Sequence, residues 1–250
     1  MKIKNVLVSQ PKPAEVEKSP YYILAKKYKV NIDYHKFIKI EGIKAIDFRK
    51  DRVAILDHTA VILTSRNAVD HFFRLSKEMR AEIPDSMKYF CVSETIAFYL
   101  QKYVQYRKRK IFYGRQNFDQ LMEIIVKHKT EVFLLPCSDV AEKDLSKVLS
   151  DSKIKHSKAI MYQTVASDLS DVEIDKYDLL VFFSPSCVKS LFTNFPDYKQ
   201  GETLISAFGP STCKAVEDAG LKLTIEAPTK TAPSMTMALE EYIDKSMKTK

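Results

Sequence analysis

The stretch VILTSRNAVDHFF, residues 61–73, decides the fold of this chain, because a reshaped copy of it, LVFFSPSCVKSLF, returns at residues 180–192. Each copy begins with a short apolar run, continues to a serine, Ser65 or Ser184, and ends in a segment with apolar residues at helical spacing. A strand, a polar turn and a helix are therefore predicted twice.

A second pair of related blocks lies downstream of the first pair at nearly the same offset. It consists of YFCVSETIAFYL, residues 89–100, and SAFGPSTCKAV, residues 206–216, in which Ser93 aligns with Gly209. Repeated strand–turn–helix blocks predict a duplicated α/β chain with two similar lobes. Strand ends that lead into helices, rich here in serine and threonine, are where such folds bind ligands.

Composition and charge limit the classes of partner. The chain has 250 residues, of which 45% are hydrophobic, and this is enough for one large or two small cores. A net charge of +8 favours an anionic partner, such as nucleic acid, an acidic metabolite or a membrane surface. The alternative is a lysine-rich surface that only aids solubility.

The cysteines and apolar runs indicate the compartment. Cys91, Cys137, Cys187 and Cys213 are far apart and form no CxxC pair, which is typical of reduced core thiols. The apolar stretch near the N-terminus is too short for a signal peptide, and no apolar run approaches the ~20 residues that span a bilayer. We expect a cytoplasmic protein without a membrane segment.

Apolar runs alternate along the chain with segments of helical periodicity, so we expect parallel sheets with helices on both faces. Ser184-Pro185 and Gly209-Pro210 mark helix starts, and Asn117 and Ser138 are further predicted caps. The predicted strands are residues 6–8, 30–40, 61–64, 89–92, 110–113, 132–135, 159–164, 179–183, 204–208 and 221–225. Predicted helices include residues 118–128, 139–151 and 235–245.

Two long extended runs, residues 35–43 and 158–166, suggest how the lobes are connected. We expect them to pair as the chain leaves one lobe and returns to it, with a ligand-binding cleft between the lobes. The predicted assignment is a discontinuous lobe of residues 1–34 plus 167–250, an inserted lobe of residues 42–157, and connector strands at residues 35–41 and 158–166.

The sequence lacks the common motifs of cofactor and metal chemistry. Its five glycines form no GxG, its five histidines form no HxH or HExxH, and no GxSxG elbow occurs. Dinucleotide, P-loop, zinc and common serine-hydrolase chemistry thus lack their usual residues. We expect neither a cofactor nor a metal.

Hydroxyl groups at predicted helix starts are the remaining candidate groups. A helix N-terminus carries partial positive charge and unpaired N–H donors, so it binds carboxylates or phosphates. Each hydroxyl alone is also explained as a helix cap, whereas the set opening toward one cleft suits a ligand with many anionic groups. The set comprises Thr64, Ser65, Thr95, Ser138, Ser184, Ser186, Ser211 and Thr212.

The segments VILTSRNAV, MYQT, FFSPS and FGPST, followed by AGL and EAPTKTAPSMTMALEEY, resemble the uroporphyrinogen-III synthase family in order and spacing. The resemblance covers most of the chain, from the first repeat block to the C-terminal helix. It implies two α/β lobes joined by a two-stranded connector. It also implies a cyclising hydro-lyase of haem biosynthesis that needs no cofactor or metal.

The resemblance further implies a reaction. Hydroxymethylbilane, a linear tetrapyrrole with eight carboxylates, loses its terminal hydroxyl to form an azafulvene. The far pyrrole then attacks through its substituted carbon, and the resulting spiro intermediate fragments and recloses with ring D inverted.

Residue roles follow from the same resemblance. Tyr162 in MYQT matches the family tyrosine proposed to help expel the hydroxyl, and a phenol with an ordinary pKa of ~10 is protonated at pH 7. The alternative for Tyr162 is a strand residue with a packed ring. Ser184 and Thr212 match positions that hold substrate carboxylates, and Ser65 and Asn67 occupy the equivalent turn of the other lobe. The predicted binding set is completed by Thr95, Ser186 and Ser211.

Three turns depart from the family pattern. Residues 9–11 read Ser-Gln-Pro and lack the arginine of the family's first turn. Ile96 stands where the family has a threonine, with Thr95 one place earlier, and residues 136–139 lack an arginine that members often carry. These departures bear on which groups of the inserted lobe hold the substrate.

Two other classes of function are open. A non-catalytic two-lobed binding or sensory protein for a small polyanion would have the same helix starts, but it would tolerate Tyr162→Phe. A basic nucleic-acid module would place aromatics among lysines on an exposed face, whereas Tyr and Phe here fall mostly inside apolar runs. The expected protein is a monomer with a small-molecule polycarboxylate substrate and no nucleic-acid or membrane partner.

Overall fold

The structure is a computed structural model that describes residues 3–115, 118–140 and 145–248. Asn117, a predicted helix cap, lies outside the described residues, as do residues 141–144 of the predicted helix 139–151. The chain divides into two compact units. The discontinuous unit comprises Met1–Lys39 and Val165–Lys250, and the inserted unit comprises Ile40–Thr164.

Strands and helices alternate through the described residues. The strands are β1 Asn5–Val8, β2 Asn31–Tyr34, β3 Ile38–Gly42, β4 Ala60–Leu63, β5 Lys88–Cys91, β6 Ile111–Tyr113, β7 Phe133–Ser138, β8 His156–Ala166, β9 Leu179–Phe182, β10 Leu204–Phe208 and β11 Leu223–Ala227. The helices are α1 Pro20–Tyr28, α2 Ala45–Phe48, α3 Arg66–Glu78, α4 Glu94–Leu100, α5 Phe118–Lys127, α6 Leu145–Asp151, α7 Pro185–Asn194, α8 Pro210–Asp218 and α9 Met235–Lys248.

The sheet of the discontinuous unit has the strand order β11-β10-β9-β1-β2, and each neighbouring pair is parallel. Successive side chains of a strand point to opposite faces of the sheet. In β9, Leu180 and Phe182 pack into one apolar cluster, while Leu179 and Val181 pack into another. Both faces are therefore buried, which explains why this strand is apolar at every position.

The inserted unit repeats this arrangement. Its sheet has the order β3-β8-β7-β4-β5-β6, with parallel pairing from β8 through β6. In β4, Val61 and Leu63 join one cluster, whereas Ala60 and Ile62 join the other. The predicted class, an α/β protein with parallel sheets flanked by helices, is confirmed.

The two copies of the repeat have nearly the same backbone at the turn between strand and helix. Ser65 follows β4 and caps α3 with φ −154° and ψ 165°. Ser184 follows β9 and caps α7 with φ −156° and ψ 155°. In each case the side chain accepts a hydrogen bond from the amide three residues later, which satisfies one of the free N–H groups of the first turn.

Two local predictions differ from the structure. The run 30–40 is two strands, β2 and β3, with the fully buried Phe37 between them. Ser138 is the last residue of β7 rather than a helix cap, and it accepts a hydrogen bond from the Val140 amide in a turn. Among the described residues, no helix is both long and apolar enough to cross a membrane.

We expect Phe72→Ala to lower the free energy of unfolding by about 3–5 kcal/mol, because it empties a site inside the core of the inserted unit. Phe72 is 0% exposed, whereas Phe98 on α4 is 66% exposed and provides a matched control. Phe98→Ala is expected to change stability by less than about 0.5 kcal/mol. Urea unfolding of both variants tests this, and equal losses would contradict the burial argument.

Candidate active site

The inserted unit brings two of the predicted site residues together. The hydroxyl oxygens of Ser65 and Tyr162 lie 3.2 Å apart, and either group is able to donate the hydrogen bond. Ser65 Oγ also accepts from the Ala68 amide at 3.0 Å. The phenol is thus linked through one serine to the positive N-terminal end of α3.

A register shift in β8 explains why Tyr162 reaches Ser65. Cys137 of β7 pairs with Ile160, but the next residue, Ser138, pairs with Tyr162, so one extra residue of β8 is accommodated between them. Such a bulge redirects the side chains that follow it. As a result Met161 and Tyr162, although adjacent in sequence, both pack into the same core cluster.

The surroundings of Tyr162 keep the phenol protonated. The side chain is 7% exposed, and burial raises the pKa of the phenol above its ordinary value. The hydrogen bond with Ser65 acts in the opposite direction and lowers this pKa, because it stabilises the charged form. The phenol is therefore protonated at neutral pH and able to donate its proton. The Ser65 hydroxyl is already placed to stabilise the phenolate that remains.

Two residues of α3 that the sequence prediction did not include lie beside Tyr162: His71 contacts its ring, and Arg74 contacts His71 and the preceding carbonyl of Met161. The imidazole of His71 stacks on the phenol ring, with centroids 5.0 Å apart and planes inclined by 19°. Arg74 donates from Nε to His71 Nδ1 at 3.1 Å, so Nδ1 carries no proton. Burial, and next the charge of Arg74, lower the pKa of His71, which favours the neutral ring.

Asn67 and Thr95, also predicted to bind substrate, lie exposed on the first turns of α3 and α4. These helices follow β4 and β5, which are adjacent parallel strands, so their N-termini share one edge of the sheet. Ser93 precedes α4 but, within the described part of the chain, its side chain forms no cap hydrogen bond.

The four predicted site residues of the discontinuous unit also lie at the starts of helices that follow adjacent strands. Ser184 caps α7 and Ser186 lies in its first turn, after β9. Ser211 and Thr212 lie in the first turn of α8, after β10, which pairs in parallel with β9. Ser211 is exposed, but Thr212 is only 1% exposed, so its hydroxyl is less accessible to a ligand than those of the other three.

The sequence carried a partial signal for the missed residues. His71 and Arg74 are three apart on a helix, which places them on the same face. The contact of His71 with the Tyr162 ring and that of Arg74 with the Met161 carbonyl join residues about ninety positions apart. Both lie at the bulge in β8, which no local pattern revealed. In the part of the chain that the structure describes, no group of three His, Cys, Asp or Glu side chains is arranged to hold a metal ion.

Comparison with known proteins identifies the class of this fold and site. The family model described as uroporphyrinogen-III synthase HemD matches residues 37–237, which is well over half of the chain. The chain belongs to this family. It is accordingly an enzyme of the lyase class with uroporphyrinogen-III synthase activity, as the sequence resemblance predicted, and its substrate is a small tetrapyrrole. A search of curated proteins returned no match.

A solved structure shows the same fold at low sequence identity. Uroporphyrinogen-III synthetase from Helicobacter pylori 26695 is 15% identical, with a TM-score of 0.57 over 97% of this chain and 100% of that one. A mutant uroporphyrinogen III synthase from the extremely thermophilic bacterium Thermus thermophilus is 12% identical, with a TM-score of 0.49 over 99% of this chain and 100% of that one.

We expect Ser65→Ala to raise the pKa of Tyr162 further, because the variant loses the hydrogen bond that stabilises the phenolate. The matched control is Ser184→Ala, which removes an equivalent helix cap that has no bond to Tyr162. Both variants are expected to lose about 0.5–2 kcal/mol of stability with the cap. NMR titration of tyrosine labelled with ¹³C at Cζ, with the Tyr162 signal assigned by its loss in Y162F, measures the pKa. An unchanged pKa in Ser65→Ala would contradict the bond.

Acid should destabilise the protein through His71. Its pKa is lowered in the folded state from an ordinary value of 6.5, so the unfolded chain takes up the proton first. The stability from the neutral imidazole is therefore complete above about pH 6.5 and decreases as the pH falls below it. His71→Phe keeps a stacking ring that does not titrate, and we expect it to reduce the loss of unfolding free energy between pH 7 and pH 5. The same pH dependence in both proteins would show that His71 does not contribute.

Proposed function

We propose that this enzyme cyclises hydroxymethylbilane, with loss of water and inversion of ring D, and that Tyr162 is its catalytic acid. The observation that supports this role is the hydrogen-bonded pair of Ser65 and Tyr162 at the start of α3. The family match supports the reaction. It also favours a synthase over a non-catalytic binding protein with the same helix starts.

In the proposed first step, Tyr162 donates its proton to the terminal hydroxyl oxygen of the substrate. The carbon–oxygen bond breaks, water leaves, and electrons from the pyrrole form the azafulvenium cation, which keeps its N–H proton. Negative charge then develops on the phenol oxygen, where it is stabilised by the Ser65 hydroxyl acting as donor. Ser65 is itself polarised by the Ala68 amide at the N-terminus of α3, and this end of the helix dipole favours anions.

Later steps need a base and positioning more than further acid catalysis. The far pyrrole attacks through its substituted carbon, and the spiro intermediate fragments and recloses. The proton finally lost from the ring carbon returns to the phenolate, so that the enzyme is regenerated. No redox change occurs in this sequence, and the net balance is the loss of one water molecule.

We propose that helix starts in each unit bind carboxylates of the substrate. Each offers backbone N–H groups and hydroxyls at the positive end of a helix, and the chain carries a net charge of +8 that favours a polyanion. The proposed binding residues are Ser65, Asn67, Thr95, Ser184, Ser186, Ser211 and Thr212. Thr212 is the least accessible hydroxyl among the proposed residues of the discontinuous unit, because it is only 1% exposed.

The remaining assignments are proposals of the same kind. We propose a cytoplasmic monomer that acts on a small molecule and binds neither nucleic acid nor membrane. The four cysteines, all of them free thiols within the described residues, support a reducing compartment. The division into lobes 1–34 plus 167–250 and 42–157, with connectors 35–41 and 158–166, is also proposed.

The purified protein should convert hydroxymethylbilane into the type III isomer. Tyr162→Phe keeps the ring but removes the proton, so we expect kcat to fall by about 10²-fold or more with a smaller change in KM. The product is oxidised and its isomers are separated by chromatography, because the type I isomer forms without an enzyme.

Type I product alone from the unaltered protein would overturn the proposed reaction. A Y162F variant with unchanged kcat would instead overturn only the role of the tyrosine. Phe98→Ala, the exposed aromatic substitution used above, is the control and should leave the turnover unchanged.

A further inference from the structure

The guanidinium group of Arg74 contacts four groups around the site. Its Nε donates to His71 Nδ1 at 3.1 Å, and its Nη1 pairs with Glu78 at 2.7 Å. Its Nη2 donates to two backbone carbonyls, those of Ile43 at 2.9 Å and Met161 at 3.1 Å. The side chain is 29% exposed, so most of it lies within this arrangement rather than in solvent.

One of these bonds fixes the backbone that carries Tyr162. The Met161 carbonyl and the Tyr162 amide belong to the same planar peptide group, so a bond that holds the carbonyl also orients the following residue. The Met161 carbonyl accepts from both Arg74 and the Ile43 amide, the latter at 3.0 Å, which fills both of its lone pairs. This support lies directly beside the bulge, where the regular ladder between β7 and β8 is interrupted.

A second bond fixes the ring of Tyr162 indirectly. Arg74 holds the His71 imidazole by its Nδ1, and the imidazole stacks on the phenol ring. The planar guanidinium thereby links the backbone and the ring of Tyr162 to a single rigid donor group. A lysine has no such fork, because its ammonium group is a point charge with no fixed plane.

Gly42 provides the space that Arg74 occupies. A Cβ atom at this position would lie 2.5 Å from Arg74 Cζ and 2.6 Å from Nε and Nη2. Any other residue at position 42 therefore displaces the guanidinium group. This gives an independent way to disturb Arg74 without changing its charge.

We propose that Arg74 is a positioning residue for the reaction, which orients Tyr162 through the Met161 peptide and the His71 ring. The inference rests on the proposed role of Tyr162. Displacement of a reacting group by about 1 Å costs up to 10²-fold in rate, so a loosened phenol should lower kcat more than it changes KM.

The test is a double-mutant cycle between Arg74 and Tyr162. We expect Arg74→Met to lower kcat by about 10-fold or more in the otherwise unaltered enzyme but by less than about twofold in the Y162F background. Gly42→Ala should lower kcat in the same direction, and Arg74→Lys should not restore it. Lys77→Met removes one positive charge from an exposed position of the same helix and should leave kcat unchanged.

Circular dichroism and urea unfolding identify variants that fail to fold. If Arg74→Met does not fold, Arg74→Lys and Gly42→Ala replace it in the double-mutant cycle with Y162F. If Arg74→Met lowers kcat by the same factor with Tyr162 present and in the Y162F background, while Y162F itself is impaired, the role of Arg74 is overturned and that of Tyr162 stands. Full activity in Arg74→Lys would overturn it as well, because charge without the planar fork would suffice. Full turnover in Y162F would remove the role of Tyr162 and this inference with it.

Discussion

Burial of the central parallel strands of each sheet on both faces is the constraint on which the rest of this structure depends. A strand such as β4 or β9 has no solvent-facing side on which to place polar groups, since alternate side chains enter different apolar clusters. Polar chemistry is therefore confined to the strand ends. There the chain turns into a helix whose first N–H groups have no partner within the helix. Serines fill this place in both copies of the repeat, and one of them, Ser65, is hydrogen-bonded to the phenol of Tyr162.

One irregularity, the bulge in β8, brings a polar side chain to the end of the sheet where the helices begin. Tyr162 lies on a strand, where alternation alone would separate it from the face occupied by Met161. The bulge opposite Cys137 and Ser138 brings both residues to one cluster and directs the phenol to Ser65. Arg74 and His71 then compensate for the interrupted ladder by holding the backbone and the ring. A preorganised donor is formed in this way from a strand irregularity and one helix face.

The sequence predicted the parts of the fold that depend on local pattern. All ten apolar runs overlap strands, and Ser65 and Ser184 cap helices as their spacing indicated. Prediction was wrong where tertiary packing decides. The buried Phe37 divides one extended run into β2 and β3, and Ser138 ends a strand although its residue type is typical of caps. Tyr162 was predicted as a site residue from the family resemblance, and its role stays a prediction. Its support by Arg74 was not found, because that contact depends on a register shift that no periodicity reports.

The bulge in β8 has a consequence for how such an enzyme tolerates changes in chain length. In the proposed binding mode, side chains at the helix starts offer hydroxyls and the backbone amides offer further donors that do not depend on the side chain, so these turns would accommodate exchange of residue type. The strand accommodates a shortened chain less well. Deletion of Met161 would keep Tyr162 opposite Ser138 and on its present face, but it would remove a fully buried side chain and the carbonyl that accepts hydrogen bonds from Arg74 and the Ile43 amide. Insertions and deletions should therefore accumulate in the surface connections of this lineage, while the residue count of this one strand stays constant.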